Sequence, residues 1–211
     1  MNILGFDTSL NKTYLALESN GNVISEVIES TKDKYHSAFL VKKIVEILKN
    51  NTLKPQDIAL LATNIGPGSF TGIRVGLTIA RAFAQSINAK AIGINSLELI
   101  STAHGLPAIT ILDARKNKAY TGNDNFVKLE ELENLKRSIN HFTGKIIADN
   151  KMAEYLAQQG IKSINFENEN IDYGKILLEI AKQKYSNGEF TQWQGLKPLY
   201  IQPPPIHQKT K

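Results

Sequence analysis

Residues 58–72 have the sequence IALLATNIGPGSFTG, and this run holds the clearest local signal of how the chain folds. Its first six residues are almost continuously apolar, as in a buried strand. Ser69 follows a Gly-Pro-Gly turn and precedes a periodic apolar segment that extends to about Ile87. This pattern predicts a helix with Ser69 as its N-cap. A buried strand that leads directly into a helix indicates an α/β protein.

The segment before this run predicts a three-stranded meander over about 2–29. Two short apolar runs, 3–7 and 13–17, are separated by turn residues. Asn20-Gly21 then separates the second run from 23–28, and Asn-Gly between strand-like runs is a strong hairpin signal.

A helix is predicted next, at about 35–49. Its apolar residues cover about half of the helix circumference. A helix that lies on a single sheet usually needs a narrower apolar stripe. The wide arc therefore indicates contact with something besides its own sheet.

The helix at 70–87 has a stripe of very small residues. Gly72, Gly76, Ala80 and Ala84 recur every four residues, and each glycine in a helix costs about 1 kcal/mol relative to alanine. Two interpretations stay open: a helix squeezed inside its own domain, or a surface that docks on a second subunit. The candidate partner-facing residues on the two helices are Phe39, Leu40, Ile44, Ile47, Leu48, Gly72, Arg74, Gly76 and Ala80.

The strand–turn–strand pattern restarts near residue 105. This predicts a first subdomain over 1–105 and a shorter, divergent second one over 106–211 that ends in a Pro-rich tail. Ser96 is expected to cap the helix that follows a strand at 91–94. Later strands are predicted at 108–112, 117–121, 145–148 and 162–165. Later helices are predicted at 129–137, 151–158 and 174–186.

Two turns have features of a phosphate-binding site. A helix N-terminus after Gly-Pro-Gly attracts anions through its free N–H groups and dipole, and the first hairpin begins at an aspartate. The match is incomplete, because neither this hairpin nor a second candidate at Asp113-Ala114-Arg115 contains glycine, and Walker A and Rossmann motifs are absent. A tight strand-to-helix turn is the alternative interpretation. The candidate vestigial phosphate loop comprises Asp7, Thr8, Ser9, Gly66, Gly68 and Ser69.

Composition excludes several classes of function. The chain has 211 residues and no cysteine, which rules out disulfides, thiolate metal sites and a cysteine nucleophile. Its four histidines form no i, i+3 or i, i+4 pair, so no helical metal face is predicted. No apolar run reaches the roughly 20 residues of a membrane-spanning helix, and the first residues predict a strand, not a signal peptide. A cytoplasmic protein is expected, and its net charge of +5 permits nucleic-acid contact without specifying it.

Several motifs occur in a recognisable order. They are ILGFDTS at 3–9, YHS at 35–37, GPGSFTGIRVGL at 66–77, NSLE at 95–98 and DAR at 113–115. Together they resemble the TsaB (YeaZ) family of threonylcarbamoyladenosine-biosynthesis proteins across about 1–121. Lys197-Pro198-Leu199-Tyr200-Ile201 is similar to the C-terminal Pro-x-Tyr segment of that family. The chain departs from the family at His36-Ser37-Ala38, where His-Ser-Glu is common.

The resemblance implies an actin-like ATPase (ASKHA) fold with two related subdomains, each a mixed sheet with flanking helices. It implies a non-catalytic scaffold subunit that pairs with a TsaD-like catalytic paralogue through the two helices. A TsaE-like ATPase joins this assembly, which threonylcarbamoylates N6 of adenosine 37 in tRNA. The chain would contact tRNA only indirectly, and would hold no metal and no tightly bound cofactor, with ATP or ADP only in the complex.

Two other expectations concern the isolated chain. Exposed apolar patches rarely stay bare, so the same helices are expected to form a homodimer when the partner is missing. The alternative function is an independent ATP-binding kinase-like enzyme, or a metallopeptidase, of the actin-like superfamily. Tight binding of ATP and magnesium that Asp7→Ala abolishes would favour this alternative.

Overall fold

The computed structural model describes residues 1–28 and 36–201, except for the side chains of 36–38. The departure from the family at His36-Ser37-Ala38 therefore lies outside the described side chains. The predicted Pro-rich tail lies outside the described residues.

The first five strands form one mixed sheet. The antiparallel meander of β1, β2 and β3 confirms the prediction, and β4 and β5 run parallel to β1. Asn20 and Gly21 form the hairpin turn, with φ angles of 51° and 79°. The order across the sheet is β3-β2-β1-β4-β5. The elements are β1 Asn2–Asp7, β2 Thr13–Ser19, β3 Asn22–Ile28, α1 His36–Asn50, β4 Ile58–Gly66, α2 Phe70–Ile87, β5 Lys90–Asn95 and α3 Ser96–Ala103.

The second sheet repeats the connectivity of the first. Its strand order is β10-β9-β6-β7-β8, and each strand and helix takes the place of its counterpart in the first half. One strand, β8, escaped prediction: the helix expected at 129–137 begins only after it. The elements are β6 Ala108–Arg115, β7 Lys118–Gly122, β8 Val127–Glu131, α4 Leu132–Ile139, β9 Lys145–Ala148, α5 Asn150–Gln158, β10 Ile164–Asn165 and α6 Tyr173–Ser186.

Each sheet has helices on both faces, and the last helix of each half lies between the sheets. Leu4 and Phe6 of β1 pack with α1 and α2, whereas Ile3 faces the opposite core with α6. Likewise α4 and α5 cover the outer face of the second sheet, and α3 packs on β6 and β7. The predicted boundary near 105 separates the two sheets, but α6 of the predicted second subdomain lies on the first sheet.

The small-residue stripe of α2 faces the first sheet of its own chain. An added Cβ at Gly72 would lie 1.8 Å from the carbonyl oxygen of Thr8, and one at Gly76 would lie 2.6 Å from Thr8 Oγ1. Ala80 and Ala84 are fully buried beside them. The interpretation of a helix squeezed inside its own domain is confirmed. Docking of this stripe on a second subunit is wrong, because the space is already filled.

Two capping predictions had different outcomes. The Ser69 side chain accepts a hydrogen bond from the Gly72 amide, which confirms it as the N-cap of α2. Ser96 does not cap α3; that role belongs to Asn95, whose side chain accepts from the Glu98 amide. The Ser96 hydroxyl instead donates to Asn64 Oδ1 at 2.9 Å.

Among the helices that the structure describes, none combines the length and the apolar character needed to cross a bilayer.

Candidate functional site

A cleft of about 410 Å³ lies where the two halves meet. The β1–β2 turn and the start of α2 form one wall, and the β6–β7 turn and the start of α5 form the other. The two turns that the sequence singled out, after Asp7 and after Asp113, therefore face the same space. The residues that define the cleft include Ser9, Gly68, Ser69, Asp113, Arg115 and Lys151.

Asp7 is turned into its own half of the molecule. Its carboxylate accepts hydrogen bonds from the Ser9 amide at 2.6 Å, the Ser9 hydroxyl at 2.7 Å and Asn64 Nδ2 at 2.9 Å. The residue is completely buried, and burial raises the pKa of its carboxyl above the usual value. All of these contacts are internal, so Asp7 holds the end of β1 in place and presents no carboxylate to the cleft.

The rest of the predicted phosphate loop closes on itself. Ser69 N donates to the carbonyl oxygen of Ser9 at 2.9 Å, and the Thr8 hydroxyl donates to the Gly72 carbonyl at 2.7 Å. A Cβ at Gly68 would lie 2.7 Å from Ser9 O, and the amide of Gly66 donates to Asn64 Oδ1. The six predicted residues do come together, but a phosphate between the turns would have to displace the Ser69–Ser9 hydrogen bond.

The second turn holds an ion pair. Asp113 Oδ2 lies 2.8 Å from Lys151 Nζ, while Oδ1 accepts from the Arg115 amide at 3.0 Å. The Asp113 amide donates to Asp149 Oδ2 at 2.6 Å, and burial raises the pKa of Asp149. Lysine thus pairs with Asp113, while Asp149 and Glu167 are the other acidic residues that line the cleft. Within residues 1–28 and 36–201, no three acidic or histidine side chains are arranged to hold a metal ion.

Most of the predicted partner-facing residues belong to the core. Leu40, Ile44, Ile47 and Leu48 are buried against the first sheet, so they have no surface to offer a partner, and their assignment to an interface is corrected. Gly72, Gly76 and Ala80 are excluded in the same way by their contacts with β1 and by burial.

Two predicted partner-facing residues do reach the surface. Arg74 is exposed and its guanidinium lies 3.8 Å from the centroid of the Phe70 ring. Phe39 is half-buried, with the Lys43 ammonium 5.9 Å from its ring centroid.

The exposed part of the apolar arc is at its edge. Val41 and Val45 are 47% and 59% exposed and lie one turn apart on α1, which packs against α2. Thr71, Thr78 and Ala82 are among the exposed residues of α2 and lie within about 40° of arc on that helix. The apolar arc predicted for α1 is wider than the part of the helix that packs on the sheet. The width of the arc therefore already indicated that apolar residues at its edge would remain exposed. We call these five residues the helical face.

The C-terminal segment lies along α2. The Arg81 guanidinium lies 5.4 Å from the centroid of the Trp193 ring. Leu196 is buried in the core. The Leu199 amide donates to the Ile65 carbonyl at 2.9 Å, and the Tyr200 ring lies 6.4 Å from the Phe70 ring. The Pro-x-Tyr segment therefore reaches the first turn of α2.

Comparison with known proteins gives a consistent result. Residues 22–181 match the family model described as TsaD: tRNA N6-adenosine threonylcarbamoyltransferase. The protein named tRNA threonylcarbamoyladenosine biosynthesis protein TsaB of Bacillus subtilis (strain 168) is 35% identical over 125 residues, 58% of this chain and 54% of that protein. The tRNA N6-adenosine threonylcarbamoyltransferase of Granulibacter bethesdensis is 30% identical over 122 residues, 51% of this chain and 33% of that protein. In these alignments, this chain spans about half or less of the relatives' length.

A solved structure shares the fold. YeaZ from Pseudomonas aeruginosa superimposes with a TM-score of 0.71 at 17% identity, covering 95% of this chain and 99% of that one. Two mixed five-stranded sheets with flanking helices and this likeness confirm the expected actin-like fold. Because the family model matches well over half of the residues, the chain belongs to the family described as TsaD: tRNA N6-adenosine threonylcarbamoyltransferase, and its relatives there include the proteins named TsaB (YeaZ).

Proposed function

We propose that this chain is a non-catalytic subunit of an assembly that threonylcarbamoylates N6 of adenosine 37 in tRNA. In that assembly it pairs with a TsaD-like catalytic paralogue, and a TsaE-like ATPase joins them. Relatives named as threonylcarbamoyladenosine-biosynthesis proteins support the reaction. The observation that carries the non-catalytic role is the hydrogen bond from Ser69 N to Ser9 O, which joins the β1–β2 turn directly to the start of α2.

The charges in the cleft support the same role. A site for magnesium and nucleotide needs carboxylates that are free to face the metal ion. Asp7 is committed to three internal hydrogen bonds, and Asp113 is paired with the Lys151 ammonium. The isolated chain is therefore proposed to bind no nucleotide tightly, and ATP or ADP would bind only in the complex. Calorimetry with ATP and magnesium tests this, since micromolar affinity for the isolated chain would favour an independent enzyme.

The helical face supplies a surface for the catalytic partner. Val41 and Val45 stand on one side of α1, and their burial would contribute up to about 1 kcal/mol each given that each is half-exposed. The small side chain of Ala82 on α2 would let a partner helix approach closely. In the isolated chain the same face is proposed to pair with a second copy.

The partner face is tested with a matched pair of substitutions. Val45→Arg places a charge on the helical face. Val27→Arg alters a valine of β3 that is 41% exposed and is paired with Tyr14, whose side chain lies on the α6 side of the sheet. Light scattering of the chain mixed with its cognate TsaD-like protein should show a complex for wild type and Val27→Arg, and none for Val45→Arg. A complex that survives Val45→Arg would refute the assignment of this face.

The scaffold role is tested in the reconstituted reaction. Asp113→Asn removes one of the three carboxylates that line the cleft. A non-catalytic chain should retain a modification rate within about twofold of wild type, since one general acid–base contribution is on the order of 100-fold. Nucleoside mass spectrometry of the tRNA product measures the rate. Val45→Arg should lower it in proportion to the lost complex. A large loss with Asp113→Asn in an intact complex would favour a catalytic role.

A further inference from the structure

The helical face is bordered by lysines on α1. At about 100° per residue, Lys49 lies about 40° and Lys42 about 60° around that helix from Val45. Both lysines are exposed. Lys43 lies on the opposite side of α1, where its ammonium is 3.0 Å from the Glu26 carboxylate of β3. Lys42 and Lys49 therefore stand beside the exposed valines, away from the edge of the sheet.

Arginines border the helical face on α2. Arg74 lies about 40° and Arg81 about 60° around that helix from Thr78. The two positions are separated by two turns, which is about 10 Å along the axis. Arg74 is exposed and Arg81 is half-buried. We call Lys42, Lys49, Arg74 and Arg81 the basic rim.

Few carboxylates compensate the basic rim. The sequence of α2 contains no aspartate or glutamate, and Glu46 is the single acidic residue of α1. This glutamate is shared between two lysines of its own helix, at 3.8 and 3.1 Å. Within residues 1–28 and 36–201, Lys49, Arg74 and Arg81 have no ion-pair partner. The outer surface of the two helices therefore carries an excess of positive charge.

The two arginines are oriented for carboxylates. The Arg74 guanidinium lies 3.8 Å from the centroid of the Phe70 ring, and the Arg81 guanidinium lies 5.4 Å from that of Trp193. A ring that covers one face of a guanidinium leaves the N–H groups at its edge for acceptors. An arginine can donate two parallel hydrogen bonds to one carboxylate. The α2 border therefore offers two such sites, two helical turns apart.

An apolar centre with a cationic border fits the surface of an acidic protein. Val41 and Val45 are exposed at this centre, and the core of an interface is apolar whereas its border is polar. A nucleic acid would satisfy the cations, but it would place phosphates and sugars against the valines.

We propose that the helical face pairs with a protein surface in which carboxylates flank an apolar stripe, with two carboxylates about 10 Å apart opposite Arg74 and Arg81. Because this face is assigned to the TsaD-like partner, the inference rests on the proposed function, to which it adds the chemistry of the partner's surface.

The same charges oppose the pairing of two copies of this chain. In a two-fold symmetric dimer the same patch of both copies meets, so the two basic rims would face each other. Like charges at an interface raise its free energy. Screening by salt should therefore strengthen the homodimer, whereas it should weaken the complex with an acidic partner. The basic rim thus favours the complex over the homodimer.

Opposite salt dependences test the charge of the partner. Sedimentation velocity gives the Kd of the homodimer, and biolayer interferometry with the immobilised cognate TsaD-like protein gives the Kd of the complex. Between about 50 mM and about 500 mM NaCl, the complex should weaken about tenfold and the homodimer should tighten about threefold.

Charge reversal tests the basic rim itself. Arg74→Glu/Arg81→Glu should weaken the complex about 100-fold at the lower salt concentration and tighten the homodimer. A defined dimer that gains affinity while the complex loses it shows that the variant is folded. Arg74→Lys/Arg81→Lys should lose about tenfold in affinity but keep the salt dependence, because lysine retains the charge without the paired hydrogen bonds. Arg137→Glu/Lys162→Glu makes the same change of charge at exposed positions of the second half and should leave both equilibria near wild type.

Three results would overturn the inference. A complex that responds neither to salt nor to Arg74→Glu/Arg81→Glu would refute it and leave the proposed function intact. If this variant assembled normally but the assembly lost affinity for a fluorescein-labelled tRNA transcript, the basic rim would belong to a nucleic-acid site. A wild-type chain that forms no complex at either salt concentration would refute the proposed function itself.

Discussion

Replacing Gly72 with alanine tests how closely α2 is packed on β1. The new Cβ would lie 1.8 Å from the Thr8 carbonyl oxygen and 2.8 Å from its carbon. Both atoms belong to the backbone, so no side-chain rotation relieves the clash. To restore even a tight contact of 3.0 Å, the helix and the turn must separate by about 1.2 Å.

The separation would break two hydrogen bonds that the structure places at this point. Thr8 Oγ1 donates to the Gly72 carbonyl at 2.7 Å, and the Ser69 amide donates to the Ser9 carbonyl at 2.9 Å. Each is worth about 1 kcal/mol, and overpacking adds about 1–3 kcal/mol. Alanine recovers only about 1 kcal/mol through its helix propensity. The expected net loss in the free energy of unfolding is about 2–4 kcal/mol.

Urea denaturation followed by circular dichroism measures this loss by linear extrapolation. Gly76→Ala is expected to cost less, because its Cβ would meet a side-chain atom, Thr8 Oγ1, at 2.6 Å. Ala82→Gly, on the exposed side of α2, is the control for propensity alone and should cost about 1 kcal/mol. If Gly72→Ala were as stable as wild type, the close contact between α2 and β1 would be refuted.

Three further predictions concern stability. Because burial raises the pKa of Asp7 above 3.8, the folded chain binds more protons than the unfolded chain just above that pH, and the contribution of this group falls as pH rises. The stability advantage of wild type over Asp7→Asn should therefore be larger near pH 4.5 than near pH 7.5 in urea titrations, and a constant difference would contradict this. Lys184→Met removes the cation 2.9 Å from buried Glu98 and should lower the free energy of unfolding by about 2–4 kcal/mol at neutral pH. The loss should be smaller near pH 4.5, because burial raises the pKa of Glu98 and its carboxyl is then more often protonated. Leu196→Ala should cost about 2–4 kcal/mol and shift the fluorescence of Trp193, the single tryptophan, whereas an unchanged spectrum would show that the segment does not depend on this anchor.

Local sequence signals predicted most elements of the fold. The strand–Gly-Pro-Gly–helix run, the Asn20-Gly21 turn and the Ser69 cap each depend on neighbouring residues only. The signal failed for β8, where five residues of mixed character directly precede a helix. It also failed at Ser96, since the choice between two adjacent capping side chains depended on Asn64, a residue from another strand.

The candidate site was harder to predict for a physical reason. Helical periodicity gives the direction of each side chain around the helix axis, but not which directions are covered by other parts of the same chain. Leu40 and Ile44 therefore belong to the same predicted apolar arc as Val41 and Val45, and only packing on the first sheet distinguishes the buried pair from the exposed pair. The sequence did not predict the positive φ angles of Arg115 and Lys116. The turn contains no glycine, the residue that usually marks this backbone conformation.

The placement of α3 and α6 between the sheets has a consequence for how the chain is made. The inner face of the first sheet is covered by α6, which spans 173–186 and is the last α-helix among the residues that the structure describes. During synthesis that face would stay exposed while the intervening second sheet emerges, and contacts so distant in sequence form slowly. The first half is therefore expected to need a chaperone, or to remain only partly folded on the ribosome, until α6 has left the exit tunnel.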